Sequence, residues 1–406
     1  MSVEMKDSGI DWIGEIPKHW KVSAIKRNLQ LYSGATPKTD NELYWNGGVA
    51  WITPADYKTE DRWIECGSRY ISEEGFKSCA VTMLPKGSII FSKRAPIGLV
   101  IMNSAPLCTN QGCIGCVPFN GNGDYYYYAM SICSEQFELL GSGTTFKEIS
   151  ATSFSNFILP TPTIEEQYRI ANFLDKKCAE IDELIALQEQ MIAKLNTYKQ
   201  AVITETVTKG LDPNVKMKDS GVEWIGEIPE HWETPKMKYY ITLYSGDAIS
   251  VNEFVDNGLY PVYGSGEKIA NCNKFNTQST DILIGRVGAR CGCVTLPLQK
   301  CWATDNALIL QSTLCLNYLY YMLIGANLNN LNTSNAQPLI TSGKIKNLNI
   351  PLPLASEQQS IANYLDQKCK EIDELISIKK EKIEHLKAYK KSVIYEYVTG
   401  KKQVTI

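Results

Sequence analysis

The stretch MKDSGIDWIGEIPKHW at 5–20 returns almost unchanged as MKDSGVEWIGEIPEHW at 217–232, and this repetition limits what the chain can fold into. A second repeat follows each copy. FILPTPTIEEQYRIANFLDKKCAEIDELI at 157–185 matches LNIPLPLASEQQSIANYLDQKCKEIDELI at 348–376, and the register holds from Pro160 and Pro351 through Thr208 and Thr399. The chain is therefore duplicated, each half reading head, middle, tail. The middles, 21–156 and 233–347, share only short islands such as LYSG at 31–34 and 243–246. Constant ends enclose exchangeable middles.

Both tails read as helices. Thr163 followed by Glu166 makes a capping box after Pro162, and Ser356 followed by Gln359 gives the same pattern after Pro353. Ile181, Ile185, Ile192, Leu195 and Val202 recur at heptad spacing, interrupted by Gln188 and Lys199. The copies are Ile372, Ile376, Ile383, Leu386 and Val393, interrupted by Lys379 and Lys390. Gly210 and Gly400 supply stops. A helix over 163–208 is about 65 Å long, too long to bury on one small domain, so the economical partner for each seam is the other tail. Packed antiparallel, the tails carry the two middles to opposite ends under a pseudo-two-fold axis. The heads, with Trp12, Ile13, Ile16 and Trp20 and their copies Trp224, Ile225, Ile228 and Trp232, then clamp each middle to the rod.

A 406-residue chain holds two to three domains, with 21% charged and 44% hydrophobic residues and no low-complexity tract. No apolar run approaches the roughly 18 residues of a membrane span, and the first residues lack the basic-then-apolar order of a signal peptide, so a cytoplasmic location is expected. The 13 cysteines have no framework spacing, as expected of reduced thiols. The single CxxC, Cys113 to Cys116, lacks a second pair, and with only His19, His231 and His385 no metal site is expected.

Duplex DNA has local two-fold symmetry, and paired readers engage it about one helical turn, roughly 34 Å, apart. Two unlike middles would read two unlike half-sites across an unread spacer. In the first middle FSKRAPIGLV at 91–100 precedes TNQG at 109–112; in the second LIGRVGARCGCV at 283–294 precedes TDNA at 304–307. Each has an apolar strand, an arginine, a turn, a glycine, a second strand and an amide cluster. Arginine pairs with guanine, and Asn or Gln with adenine. Arg94, Gln111, Arg286 and Asn306 are thus candidates for base contacts, with Asn110, Lys93 and Arg290 beside them; structural bonds within the hairpin are the alternative for Arg94 and Arg286. The LYSG islands continue as SGATPK and SGDAIS, where Ser33, Thr36, Lys38 and Ser245 suit a phosphate backbone. SGTTFKEIS at 142–150 and NAQPLITSGKIK at 335–346 add Thr145, Lys147, Gln337 and Lys344. Against this stands the charge, −3 with a pI of about 5.8, where a lone DNA binder carries a basic footprint. Either the cations cluster on one face or a partner supplies much of the backbone grip.

EEQYRIANFLDKKCAEIDELI at 165–185, SEQQSIANYLDQKCKEIDELI at 356–376, the paired WIGEIPxHW heads and the SGATPK, APIG and TNQG islands together resemble the specificity subunits of Type I restriction-modification systems. The resemblance covers essentially the whole chain. It implies an α+β fold: two globular mixed target recognition domains joined by two long conserved helices in an antiparallel, pseudo-two-fold coiled coil. The first recognition domain with its anchor would occupy 1–160, the central helical region 161–210, the second recognition domain 211–350 and the C-terminal helical region 351–406. It further implies that each recognition domain reads half of a bipartite asymmetric site in double-stranded DNA. Two methyltransferase subunits would dock on the chain and methylate a flipped adenine in each half-site, the S-adenosylmethionine lying on the methyltransferase and no cofactor on this chain. A motor-nuclease subunit would join for restriction.

The chain itself has no Asn-Pro-Pro-aromatic tetrad, no glycine-rich cofactor loop after a strand and no GxxxxGK[ST], so it is expected to be non-catalytic. Rival readings are a stand-alone nuclease that dimerises through its helices, with Asp56-Tyr57-Lys58 as a motif fragment, a structural coiled-coil adaptor, and the specificity chain of another restriction-modification type.

Overall fold

The computed structural model describes residues 4–58, 61–94, 96–143, 147–332 and 338–404. The chain divides into two units, residues 1–187 with 382–406 and residues 188–381. Two long helices, Ile164–Lys209 and Ala355–Val398, each give one half to each unit. Among the described residues no helix is long and apolar enough to cross a membrane.

In the first unit the start of the first long helix lies antiparallel to the end of the second: Lys390 meets Asp182 at 2.7 Å and Phe173 packs on Tyr397 with ring centroids 4.3 Å apart. In the second unit Lys199 meets Asp373 at 2.6 Å. Lys390 is the copy of Lys199 and Asp373 the copy of Asp182, so each pair is the other with the helices exchanged. Between residues 182 and 200 the only ones withdrawn from solvent are Ile185, Gln188, Ile192, Leu195 and Lys199, the expected seam. Its polar interruptions find each other: Lys379 donates to Gln188, the residue it copies, at 3.4 Å. The ion pairs are largely exposed and stabilise little; they fix register.

Each head is a hairpin, Met5–Asp7 with Glu15–Pro17 and Met217–Asp219 with Glu227–Pro229. Beyond it, Trp20 is buried and its indole N–H donates to Glu166 Oε1 at 3.1 Å, while His19 Nε2 lies 2.8 Å from the same oxygen. The other oxygen of Glu166 accepts from the Thr163 backbone and hydroxyl at 3.1 and 2.8 Å, closing the expected capping box. One carboxylate thus joins head to helix. In the second unit Glu357 does this work, bonding Trp232, His231 and the Leu354 backbone N–H. The expected box of Ser356 with Gln359 does not form: the helix begins at Ala355, Leu354 stands where Thr163 does, and Gln359 instead donates to Asn363. Leucine lacks the hydroxyl arm of the box, so only the carboxylate arm survives. Gly210 and Gly400, at φ of 76° and 74°, follow the helix ends, and a side chain there would press on Trp232 and on Pro17 and Trp20 respectively.

The middles have a common topology. In the first unit five strands run in the order Leu29–Ser33, Cys113–Pro118, Ile89–Lys93, Ile97–Asn103, Trp63–Ile64, antiparallel except for the last pair. The second unit has Ile241–Ser245, Ala307–Ser312, Ile282–Gly285, Val294–Thr295, all antiparallel. Ile89–Phe91 and Ile282–Ile284, within these two strands, are buried on both faces, which is why they read as unbroken apolar runs. A three-stranded sheet stands beside each: Cys108–Thr109, Trp45–Ile52 and Arg69–Ile71 in one, Trp302–Ala303, Tyr260–Tyr263 and Lys268–Cys272 in the other. A tyrosine-rich helix then packs on the long one. Tyr125 donates to the Pro160 carbonyl and Tyr128 to Asp175; Tyr318 donates to Pro351 and Tyr321 to Asp366 in the same way.

The glycine of each LYSG island sits where the two sheets meet. A Cβ on Gly34 would stand 2.0 Å from the Asn110 carbonyl oxygen, and one on Gly246 2.3 Å from that of Ala303. The close approach that requires glycine is to protein backbone. Gly34→Ala is therefore expected to destabilise the first unit by about 3 kcal/mol or more, read as a fall in its denaturation midpoint.

Burial raises the carboxyl pKa of Glu166, but the bonds from His19, Thr163 and Trp20 outweigh this and hold it below the ordinary range. Its contribution is then present above the ordinary glutamate pKa and lost as pH falls through the lowered value. Glu166→Gln should cost about 1 kcal/mol at neutral pH, and the gap from the parent should close in strongly acidic buffer. Chemical denaturation at stepped pH measures both.

Candidate nucleic-acid interface

Several of the candidate residues gather at one end of the large sheet in each unit. In the first, Lys93 ends a central strand and Arg94 follows it, both facing Glu148 at 2.7 and 3.8 Å. The backbone of Lys93 donates to the Gly112 carbonyl, which draws the TNQG turn alongside. Within that turn Asn110 Oδ1 accepts from Gly112 N–H at 2.9 Å, and a side chain on Gly112 would meet both this oxygen and Arg94 Nε. The Thr36 hydroxyl donates to Gln111, joining the loop after LYSG to the turn. Arg94, Asn110, Gln111 and Thr36 thus form one surface, with Ser33 exposed at the adjacent strand end. Lys38 and Lys147 are exposed, and the Lys38 carbonyl accepts from the Trp45 indole.

The second unit assembles the same end from other residues. Arg286 Nη1 donates to the Ser245 hydroxyl at 3.2 Å, and Arg286 N–H donates to the Asn306 carbonyl at 3.0 Å. The side chain of Asn306 is exposed beside them. Arg290 is drawn to Glu267 at 2.8 Å. Lys344 is not joined to this group: its ammonium donates to the Leu331 carbonyl at 2.8 Å, in a groove beside Trp224 and Asn347. Thr145 and Gln337 lie outside the described residues.

The charge of these surfaces answers part of the objection from net charge. Two cations, Lys93 and Arg94, share the carboxylate of Glu148, with Asp56 as a second acid near the turn, and Lys38 and Lys147 add exposed cations around them. The second is less basic, because exposed Asp305 adjoins Asn306. Neither Arg94 nor Arg286 is locked in place: the arginine–carboxylate approach is 3.8 Å and the other partner is a neutral hydroxyl. Sequence reasoning missed Glu148, a lone acid in a loop, and the tryptophans whose indoles hold the loop after LYSG: Trp45 to Lys38 and Trp51 to Ala35.

Asp56, Cys113 and Cys116, singled out in the sequence for possible catalytic or metal chemistry, are engaged in the fold. Asp56 accepts four bonds, from Thr53 N–H and hydroxyl and from Ser68 N–H and hydroxyl, at 2.7 to 2.8 Å. Burial raises its pKa, but these bonds more than compensate and it falls below the ordinary range. It caps the turn Pro54–Asp56. Cys113 and Cys116 are an odd number of positions apart on one strand, so their thiols face opposite sides and join different core clusters. Burial pushes the Cys113 thiol up to about 12 and raises that of Cys116 further.

Comparison with known proteins identifies the family. The model of the Type I restriction modification DNA specificity domain matches residues 17–197 and 229–388, one copy in each half. The MjaIX specificity subunit of Methanocaldococcus jannaschii is 38% identical over 61% of this chain and 58% of its own length. The putative MjaX specificity subunit of the same organism is 26% identical over 97% of this chain and 96% of its own. A solved chain described under complex assembly and conformational transition of the type I R-M system superposes with a TM-score of 0.71 at 16% identity, covering 94% of this chain and 98% of that one, a likeness of fold. With its two matched domains, each bearing a variable sheet end on a constant head and tail, this chain belongs to the Type I restriction modification DNA specificity domain family.

Proposed function

We infer that the chain is the DNA-reading subunit of a Type I restriction-modification complex and that each unit reads one half of a bipartite, asymmetric site. The observation that carries this is a single topology holding two unlike polar surfaces at the same sheet end, Arg94 with Asn110, Gln111 and Thr36 against Arg286 with Ser245 and Asn306. Arginine and amide side chains are the groups that discriminate guanine and adenine in the major groove. Lys93, Lys38, Lys147 and Ser33 would serve the phosphates around the first half-site, and Arg290 around the second. The chain performs no chemistry itself. S-adenosylmethionine belongs to the partner methyltransferase, and a motor-nuclease subunit completes the restriction complex. The rival nuclease reading loses its main residue, since Asp56 is committed to a turn.

The paired helices set the spacer and dock the methyltransferases. Beside the buried seam each unit carries a second apolar set: Leu184 and Leu187 with Tyr389 level with them in the first unit, and the copies Leu375 and Ile378 with Tyr198 in the second. All six are exposed, with Leu184 and Leu375 at 46% and 48%. A surface present twice supports two methyltransferase subunits bound alike. Leu184→Arg with Leu375→Arg should leave the thermal midpoint within a few degrees while weakening methyltransferase binding about 30-fold or more per site, as measured by titration of the purified subunits.

The reading as a whole is tested by single-molecule mapping of modified bases in DNA from cells expressing this chain with and without its methyltransferase. Methyladenine at a split, asymmetric motif only when both are present is expected. An assembled complex that marks no motif would overturn it.

A further inference from the structure

We infer that Arg69 is a DNA-contacting residue of the first unit, held in place by the paired tryptophans behind it; this rests on the DNA-reading function proposed above. Arg69 opens the outer strand Arg69–Ile71 of the small sheet, directly across from Trp51. Its guanidinium carbon lies 3.7 Å from the ring centroid of Trp45 and 5.6 Å from that of Trp51. The two indoles meet edge to face, 5.2 Å apart at 84°. Both ring N–H groups are already used, Trp45 donating to Lys38 and Trp51 to Ala35. One side of this aromatic pair therefore anchors the loop bearing Thr36 and Lys38, and the other carries the arginine.

The arginine is exposed, and among the described residues its side chain has no ion pair and no hydrogen bond. Arg62 shows what a structural arginine looks like in the same unit. It too lies over aromatic rings, those of Trp63, Tyr127 and Tyr128, but Asp124 and Asp175 take its two ends at 2.7 and 2.6 Å. At Arg69 the face of the guanidinium is satisfied and the whole rim of N–H donors is left free. A flat, pre-oriented fork with unused donors fits a guanine edge or a phosphate.

The second unit repeats the device from different sequence positions. Trp302 donates to the Asp247 carbonyl, the residue after its LYSG glycine as Ala35 is in the first unit, and Lys274 Nζ sits 4.3 Å over its ring. There the cation is taken by Glu253, so only Arg69 is assigned a contact.

The test uses the full chain assembled with its methyltransferase and a random-sequence duplex library, from which bound duplexes are sequenced. Arg69→Gln keeps a planar group that can lie on Trp45 without the charge, and Arg69→Lys keeps the charge without the fork. For a base contact, both variants relax one position of one half-motif by about ten- to hundredfold and leave the other half, an internal control for folding, unchanged. For a phosphate contact the motif persists, Arg69→Gln weakens all duplexes alike and lowers the salt slope by about one, and Arg69→Lys restores most of the loss. Either result supports the inference. Parent motif, affinity and salt slope in both variants, with only a lowered thermal midpoint, would make Arg69 a structural stack and overturn it. A parent complex that selects no motif would instead overturn the DNA reading itself.

Discussion

A 46-residue helix with an apolar seam along its length cannot remain single in water, and covering that seam is the constraint from which the rest of the structure follows. The duplication provides the cover, because the copied helix carries the same seam and can oppose it antiparallel. The same constraint explains why Asp182 with Lys390 and Lys199 with Asp373 are one ion pair written twice. It also explains how polar residues stand within the seam, since Gln188 and Lys379 meet each other there.

Once the helices are paired, the position of each recognition unit depends on a small joint. Glu166 or Glu357 closes the first turn of a long helix with one oxygen and holds the tryptophan and histidine of a head with the other. Head, helix and middle meet at this carboxylate and at the tyrosine hydroxyls that reach the chain before the helix. Nothing in the joint depends on the residues at the far end of the sheet. The polar surface there is free to change while its mounting stays constant, as the shared order of four strands with unlike side chains in the two units illustrates.

The sequence made the mounting legible and the surface less so. Heptad spacing marked the seam residue by residue, and glycines at 210 and 400 marked the helix ends, because these are local patterns tied to backbone geometry. The second cap is not legible in this way, since Leu354 has no hydroxyl and the nearest hydroxyl-to-amide pattern begins two residues further on, at Ser356. The common topology of the middles was hidden because pairing of strands distant in sequence needs only burial on the right faces, which many residues satisfy. YYYYAM at 125–130 and YLYYML at 318–323 were a visible sign of it. LYSG was seen in both copies, but its reason, a carbonyl oxygen 2.0 Å from a would-be Cβ, is a tertiary contact. Of the candidate surface, the strand, arginine, turn and amide order named groups that the structure places side by side, Arg94 with the TNQG turn and Arg286 with Asn306. The cluster of Trp45, Trp51 and Arg69, built from two strands, left no local trace.

The central claim is that recognition resides in the middles and assembly in the heads and tails. It is tested most directly by replacing residues 233–347 with the corresponding middle of another specificity subunit and mapping the methylated motif of the assembled complex. The account predicts that one half-site changes to that of the donor while the other half-site, the spacer and the methyltransferase stoichiometry stay as they were. A change in both half-sites, or in the spacer, would contradict it.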